Sequence, residues 1–303
     1  MHCASPFAAL AGLLLLSATS LAAQGTLLDV LDGETLYENG YLLTLGQELV
    51  TRDTLRTGSH RVDNPLQQSE RLFRTTTSLQ YGLRYDLQIG VAVDYVSNSI
   101  QAIGLDETAE GLSDVTLMVK YRFLRFDGKG FATNFALLGG VSLPTGDDNQ
   151  QSDTGPIDPD LQPGSGSFDP LLGVAVTHEP GRWRFNAAAI GHWRTDSDAN
   201  GNSPGSDVLL LLEIGNRFWL EPYPGPFMRL DLVLRYFYED QAREQSRLPD
   251  TGYESTTIGL NWAFRPRPSL DFQLYVETPI SQQVNGTQLA DDWRVDFTFG
   301  YRF

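Results

Sequence analysis

Along most of this chain every second residue is apolar. The closing stretch 291–303 sets Trp293, Val295, Phe297, Phe299, Tyr301 and Phe303 against Arg294, Asp296, Thr298, Gly300 and Arg302. The same alternation runs through 87–95, 115–123, 228–239 and 270–277. A period of two places successive side chains on opposite faces of a strand. The pattern predicts about twelve strands, over 40–51, 70–82, 84–97, 112–124, 131–144, 167–178, 182–195, 206–219, 227–240, 253–265, 268–280 and 291–303. Each reaches the roughly 9–11 residues that a tilted membrane-crossing strand needs.

The connections fall into two classes. The links "GLRYD", "RFDGKG", "HEPG", "EPYPGP" and "RPRP" are short, and they alternate with long polar stretches at 52–69, 98–111, 145–166, 196–205, 241–252 and 281–290. Short turns on one side and long loops on the other are the layout of an outer-membrane barrel. A soluble sandwich also alternates, burying its oily faces between two sheets. Three features argue against it: the strands are long, the polar face is charged on successive strands, and aromatics gather at strand ends. Tyr41, Tyr81, Trp183, Phe218 and Phe303 mark the turn end; Phe73, Tyr95, Trp193, Tyr236, Tyr253 and Trp293 mark the loop end. Two such bands match interfacial aromatic belts, and in lipid an open sheet edge is too costly to leave unpaired. The expected fold is all-β: a closed antiparallel up-and-down transmembrane barrel of about twelve strands occupying 40–303.

Composition changes the picture at the N-terminus. Mean hydropathy is −0.24, and no internal run approaches the roughly 20 apolar residues of a spanning helix. The one apolar run, "FAALAGLLLLSATSLAAQ", reads as the core of a signal peptide cleaved near Ala22 or Ala23, which makes 1–23 a signal peptide. The single cysteine, Cys3, lies within it, so the expected mature chain offers no disulfide, thiol nucleophile or cysteine metal site. Residues 24–39 then form either a flexible periplasmic leader or a plug that enters the lumen from below. The formal net charge of −16 excludes the basic footprint of a nucleic-acid binder.

Four stretches carry a resemblance: "SLQYGLRYDLQIGVAVDYVSN", "GLSDVTLMVKYRF", "LLGGVSLPTGD" and "GSGSFDPLLGVAV". In content and order they resemble the outer-membrane "meta-pathway of phenol degradation" family of transporters. The resemblance covers roughly 70–180 and the terminal strand. It implies a barrel, and uptake of small aromatic or apolar compounds. Its motifs are strand and turn chemistry rather than a substrate site.

The polar face supplies the candidate lumen residues: Asp94, Lys120, Arg122, Arg184, His192, Arg194, Glu213, Arg217, Arg229, Asp231, Arg235, Glu277, Arg294, Asp296 and Arg302. They line a charge-selective pore, or they form a ladder of ion pairs filling a narrow interior; twelve strands lie between filled eight-stranded barrels and open sixteen-stranded ones. Loop 145–166 is acidic, but its spacing fails the EF-hand pattern, and it reads as a solvated loop or a constriction folded into the mouth. No serine-hydrolase elbow, phosphate loop, zinc motif or dinucleotide fingerprint is present, and no metal or cofactor is expected. Phe303, with Phe297, Phe299 and Tyr301 at alternate positions before it, matches the C-terminal signal read by the barrel-assembly machinery. The expected setting is the outer membrane of a Gram-negative bacterium, with both termini periplasmic. The expected partners are outer-membrane lipid, that machinery and a small-molecule solute. The leading function is a passive channel. A surface-binding barrel without flux and an outer-membrane hydrolase are the alternatives. Nothing in the sequence signals an oligomeric state.

Overall fold

The computed structural model describes residues 31–152, 155–156, 161–195, 202–244 and 246–303. The expected signal peptide and the loop carboxylates Asp153, Asp158 and Asp160 lie outside them.

The alternating stretches form twelve strands. They are β1 Tyr41–Arg52, β2 Ser69–Arg84, β3 Leu87–Ala102, β4 Val115–Gly128, β5 Phe131–Leu143 and β6 Asp169–Pro180. The second half is β7 Trp183–His192, β8 Asp207–Leu220, β9 Phe227–Glu239, β10 Tyr253–Arg267, β11 Leu270–Val284 and β12 Trp293–Arg302. Each pairs antiparallel with its sequence neighbours, and β12 pairs back onto β1 through the register Leu42↔Arg302 to Thr51↔Trp293. The sheet therefore has no free edge. Among the described residues no helix is long and apolar enough to cross a membrane.

Burial follows the two-residue period. On β12, Arg294, Asp296 and Thr298 are buried while Trp293, Phe297 and Tyr301 face outward. Leu210, Leu212, Leu232, Leu234 and Leu260 are likewise exposed on the outer wall. A continuous apolar outer surface of this kind has to be covered, and lipid covers it without breaking the backbone ladder. At the turn end the aromatics touch along the wall: Tyr41 lies 4.7 Å from Tyr81 and 5.3 Å from Phe303, and Phe272 lies 5.3 Å from Phe299. One expected belt residue departs. Tyr253 points inward, 8% exposed and 5.2 Å from Phe237, because it falls on the inward phase of β10.

Four strands carry an irregularity just before a short turn: β2 at 82–84, β4 at 121–124, β8 at 216–219 and β10 at 264–267. Bulges twist a strand and re-aim side chains at a barrel rim. Here they bring Arg122, Arg217 and Arg265 to the turn end. Beyond the loop end, Leu105–Leu112 extends the β3 hairpin, and Thr54–Thr57 with His60–Arg61 and Thr287–Ala290 forms a small sheet across the mouth.

Candidate functional site

The interior of the barrel is filled in three levels of ion pairs. At the loop end Arg52 donates to Glu70 at 2.5 Å and to Asp291 at 2.6 Å. Asp291, in the connection before β12, has its carboxyl held below the usual carboxylate range: burial alone would raise it, but the Arg52 guanidinium and, next, Arg294 outweigh that. Nearby Arg194 pairs with Asp169 at 2.6 Å, and His192 Nδ1 lies 3.4 Å from Asp207.

The described parts of loop 145–166 lie over this level. The Asp114 carboxylate accepts from the backbone N–H groups of Thr145, Gly146 and Ser165 and from the Ser165 hydroxyl, clamping both ends of the loop. Leu161 is thereby placed in the mouth, 1% exposed, in an apolar cluster with Ile100, Ala109 and Leu289, and Asn98 donates to its carbonyl at 3.0 Å. The described ends of the loop are thus pinned to the barrel.

At mid-height Arg74 bonds Glu48 at 2.8 Å, and Arg294 lies 3.0 Å from Glu48 and 3.5 Å from Glu277. Arg235 also bonds Glu277, which accepts from the hydroxyls of Thr257 and Tyr275 at 2.6 Å each. Asp94 and Asp296 are buried in the same layer. The opposite wall at this height is apolar: Leu138, Ile190, Leu209, Leu211, Val233 and Phe237 point inward and are buried against one another's strands. The lumen therefore has one ionic and one oily side, and side chains meet across it.

The third level, at the turn end, is built around a segment of chain that is not part of the wall. Residues 31–36 run inside the barrel, and the exposed residues 37–39 lead from them to β1, where Asn39 and Gly40 bond the backbone of Gly82. The Asp32 carboxylate accepts from Lys120 Nζ at 2.7 Å and from Arg184 at 2.9 Å; Arg184 also donates to Glu34 at 2.8 Å. Backbone groups are satisfied by wall side chains: Gly33 N–H donates to Thr177 Oγ1, Leu36 N–H to Gln88 Oε1, and the Asn186 amide to the Leu31 carbonyl. Tyr37 donates its hydroxyl to the Phe303 carbonyl at 3.1 Å, tying the segment to the seam where the barrel closes. Beside it Arg229 bonds Asp231 at 2.6 Å, Arg217 bonds Glu179, and Arg265 and Arg302 both pair with Asp271. Between the segment and β9–β12 lies a polar cavity of about 230 Å³, lined by Asp32, Glu34, Arg229, Asp271 and Arg302 among others.

Most of the fifteen sequence-selected lumen candidates do line these levels. Arg122 is the outlier. Its bulge turns it to the rim, where it bonds the Tyr85 carbonyl at 2.5 Å and sits 5.9 Å from the Tyr85 ring. Sequence reasoning placed Glu48 and Arg74 on the inward face as well, but it did not select Asp32, Glu34 or the apolar wall.

Comparison with known proteins accords with this geometry. The family described as "MetA-pathway of phenol degradation" matches residues 56–284. The COG4313 outer membrane channel from Pseudomonas putida F1 has a similar structure, with a TM-score of 0.69 at 14% identity over 90% of this chain and 98% of that one. The beta domain of the Bordetella autotransporter BrkA is more distant, with a TM-score of 0.53 at 14% identity over 88% of this chain and 100% of that one. At such identities the likeness speaks for the fold. No curated protein matches the sequence.

Proposed function

The chain belongs to the MetA-pathway of phenol degradation family, and from that membership we propose that it is a passive outer-membrane channel for small aromatic or apolar solutes, held closed in this conformation by residues 31–40. One observation carries the reading: at the turn end of a closed barrel residues 31–36 are held to the wall through bonds that each involve a side chain, including the Asp32 pairs with Lys120 and Arg184, whereas Asn39 and Gly40, next to β1, bond Gly82 backbone to backbone. Such an element can leave without disturbing any strand pairing. The half-oily lumen above it suits a ring with one polar substituent, and the family's association with phenol degradation points the same way. The structurally similar COG4313 protein is described as an outer membrane channel.

In this reading the turn end faces the periplasm, the loops face outward, and the barrel-assembly machinery reads Phe303 during insertion. The channel acts without chemistry. The histidines favour this: His178 bonds Thr133, and the His192 ring faces Asp207. Neither arrangement includes the serine that a hydrolase of that type would need.

Planar-bilayer conductance together with liposome uptake of phenol tests the proposal. Phenol flux into liposomes, with small conductance that rises when residues 31–39 are removed, is the expected result. Silence in both assays for the intact and shortened barrels, each verified as folded by heat-modifiable gel mobility, overturns it.

A further inference from the structure

The bonds of Lys120 at the turn end raise a question about charge. Its ammonium is 3% exposed, and its bonds go to Asp32 Oδ1 and to the Glu34 carbonyl, both on the entering segment. A buried ammonium facing a wall without a carboxylate of its own is costly. The neighbouring wall repeats the pattern. Arg184, Arg217, Arg229, Arg265 and Arg302 share four wall carboxylates, Glu179, Glu213, Asp231 and Asp271, and Lys120 adds a sixth cation that pairs with none of them. The wall is therefore in excess by two positive charges, and the segment supplies two carboxylates, Asp32 and Glu34. The arrangement is that of an anion site occupied by a piece of its own chain.

We propose that Lys120 and Arg184 form a binding site for a small organic dicarboxylate, and that residues 31–40 occupy it as an internal ligand which the dicarboxylate displaces. The proposal rests on reading the segment as a plug, and it adds what releases it. Arg184 is suited to the role because a guanidinium presents several donors in a fixed fork, so it holds Asp32 and Glu34 together and can hold two carboxylates of another molecule. The adjoining cavity gives the competitor a place to enter. Its volume of about 230 Å³ lies below the roughly 300–1,000 Å³ of sites for drug-sized ligands, which limits the occupant to a small acid. The acid at the outer side of the cavity is covered: Asp271 is 11% exposed, whereas the two arginines paired with it, Arg265 and Arg302, are 35% and 22% exposed. An incoming carboxylate thus meets guanidinium first. Displacement also has a small mechanical cost, because residues 31–36 make no backbone–backbone bond to a barrel strand, and pairing with β2 begins at Asn39. Occupation by the dicarboxylate and by the segment are mutually exclusive, so the ligand that neutralises the wall also opens the turn end.

The test reads exposure of the segment. Leu36 is 8% exposed under the plug, so Leu36→Cys in a chain that also carries Cys3→Ser reports its departure by maleimide labelling. With the barrel in detergent micelles, millimolar succinate is expected to speed labelling severalfold, while chloride at matched ionic strength does little. Lys120→Met added to the reporter should weaken the succinate response, and Asp32→Lys should give fast labelling with or without succinate. Equal acceleration by chloride would mean that simple screening releases the segment, and overturns the site. Slow labelling in succinate alongside fast labelling in Asp32→Lys would keep the plug and overturn its competition with a dicarboxylate. Slow labelling in both would overturn the plug reading itself. Should Leu36→Cys fail to assemble, Thr35→Cys on the same segment serves as the reporter.

Discussion

A Cβ placed on Gly33 would stand 2.3 Å from the backbone oxygen of Asn134 on β5, and 3.0 Å from the backbone nitrogen of Thr177 on β6. The segment thus lies directly against the wall, and only a residue without a side chain lets it. The obstacle is main chain on a paired strand, which cannot swing aside.

Gly33→Ala should therefore unseat the segment while sparing the barrel. The expected result is a folded, heat-modifiable protein with raised single-channel conductance and faster labelling at position 36. Wild-type conductance from a folded Gly33→Ala barrel would show that the contact is not what holds the turn end closed.

The Arg52 cluster at the loop end gives a prediction about stability. Removing Arg52 leaves Glu70 and Asp291 buried beside each other without their shared guanidinium. Breaking a buried pair from one side typically costs about 3–5 kcal/mol. Arg52→Met should lower the unfolding temperature clearly, measured by gel mobility after graded heating. Arg71→Met, which removes an exposed pair with Asp53, should cost no more than about 1 kcal/mol of stability and so shift that temperature much less.

Asp291 also sets a pH dependence. Its folded pKa is depressed, so the stability it contributes is present above the ordinary carboxylate value of about 3.9 and is lost as pH falls through its lower folded value. Thermal stability of the wild type should hold down to about pH 5 and decline below about pH 4. Asp291→Asn should be less stable at neutral pH and decline less steeply in acid. Parallel curves for the two proteins would remove Asp291 as a contributor.

How far the sequence could be read depended on whether both phases of a strand differed. On β12 the phases are charged and aromatic, so strand, facing and lumen residues such as Arg294 and Asp296 were all evident. On β8 the run Val208–Leu212 is apolar on both phases: Leu209 and Leu211 are buried inside while Leu210 and Leu212 are exposed outside. Alternation there carries no sign, and the oily side of the lumen stayed hidden. Bulges hid a second class. One extra residue in the stretch 122–123 turns Arg122 to the rim, and no local residue announces the shift. The entering segment was legible only as one of two alternatives, a leader or a plug, for a third reason. Asp-Gly-Glu at 32–34 reads as an ordinary turn, and its partners Lys120 and Arg184 lie 88 and 152 residues away from Asp32. Only closure of the barrel brings those groups together.

The last prediction concerns how the barrel closes. Tyr41 N–H donates to the Phe303 carbonyl at 2.8 Å, Phe303 N–H returns a bond to the Tyr41 carbonyl at 3.1 Å, and the two rings stack with centroids 5.3 Å apart. Tyr37 adds its hydroxyl to the same carbonyl. The final residue therefore completes the seam between first and last strands and anchors the segment as well. If Phe303 also serves as the assembly signal, two effects of its loss separate by timing. Phe303→Ala keeps the backbone bonds but removes the ring, so barrels that do form should be only modestly less stable, while the amount reaching the outer membrane falls severalfold. Arg302→Gln instead removes a pair with Asp271 and leaves the ring. It should change yield little. Quantifying folded protein in outer-membrane fractions, and the unfolding temperature of what is recovered, distinguishes the two roles. Equal yields for both variants would leave Phe303 as a seam residue alone.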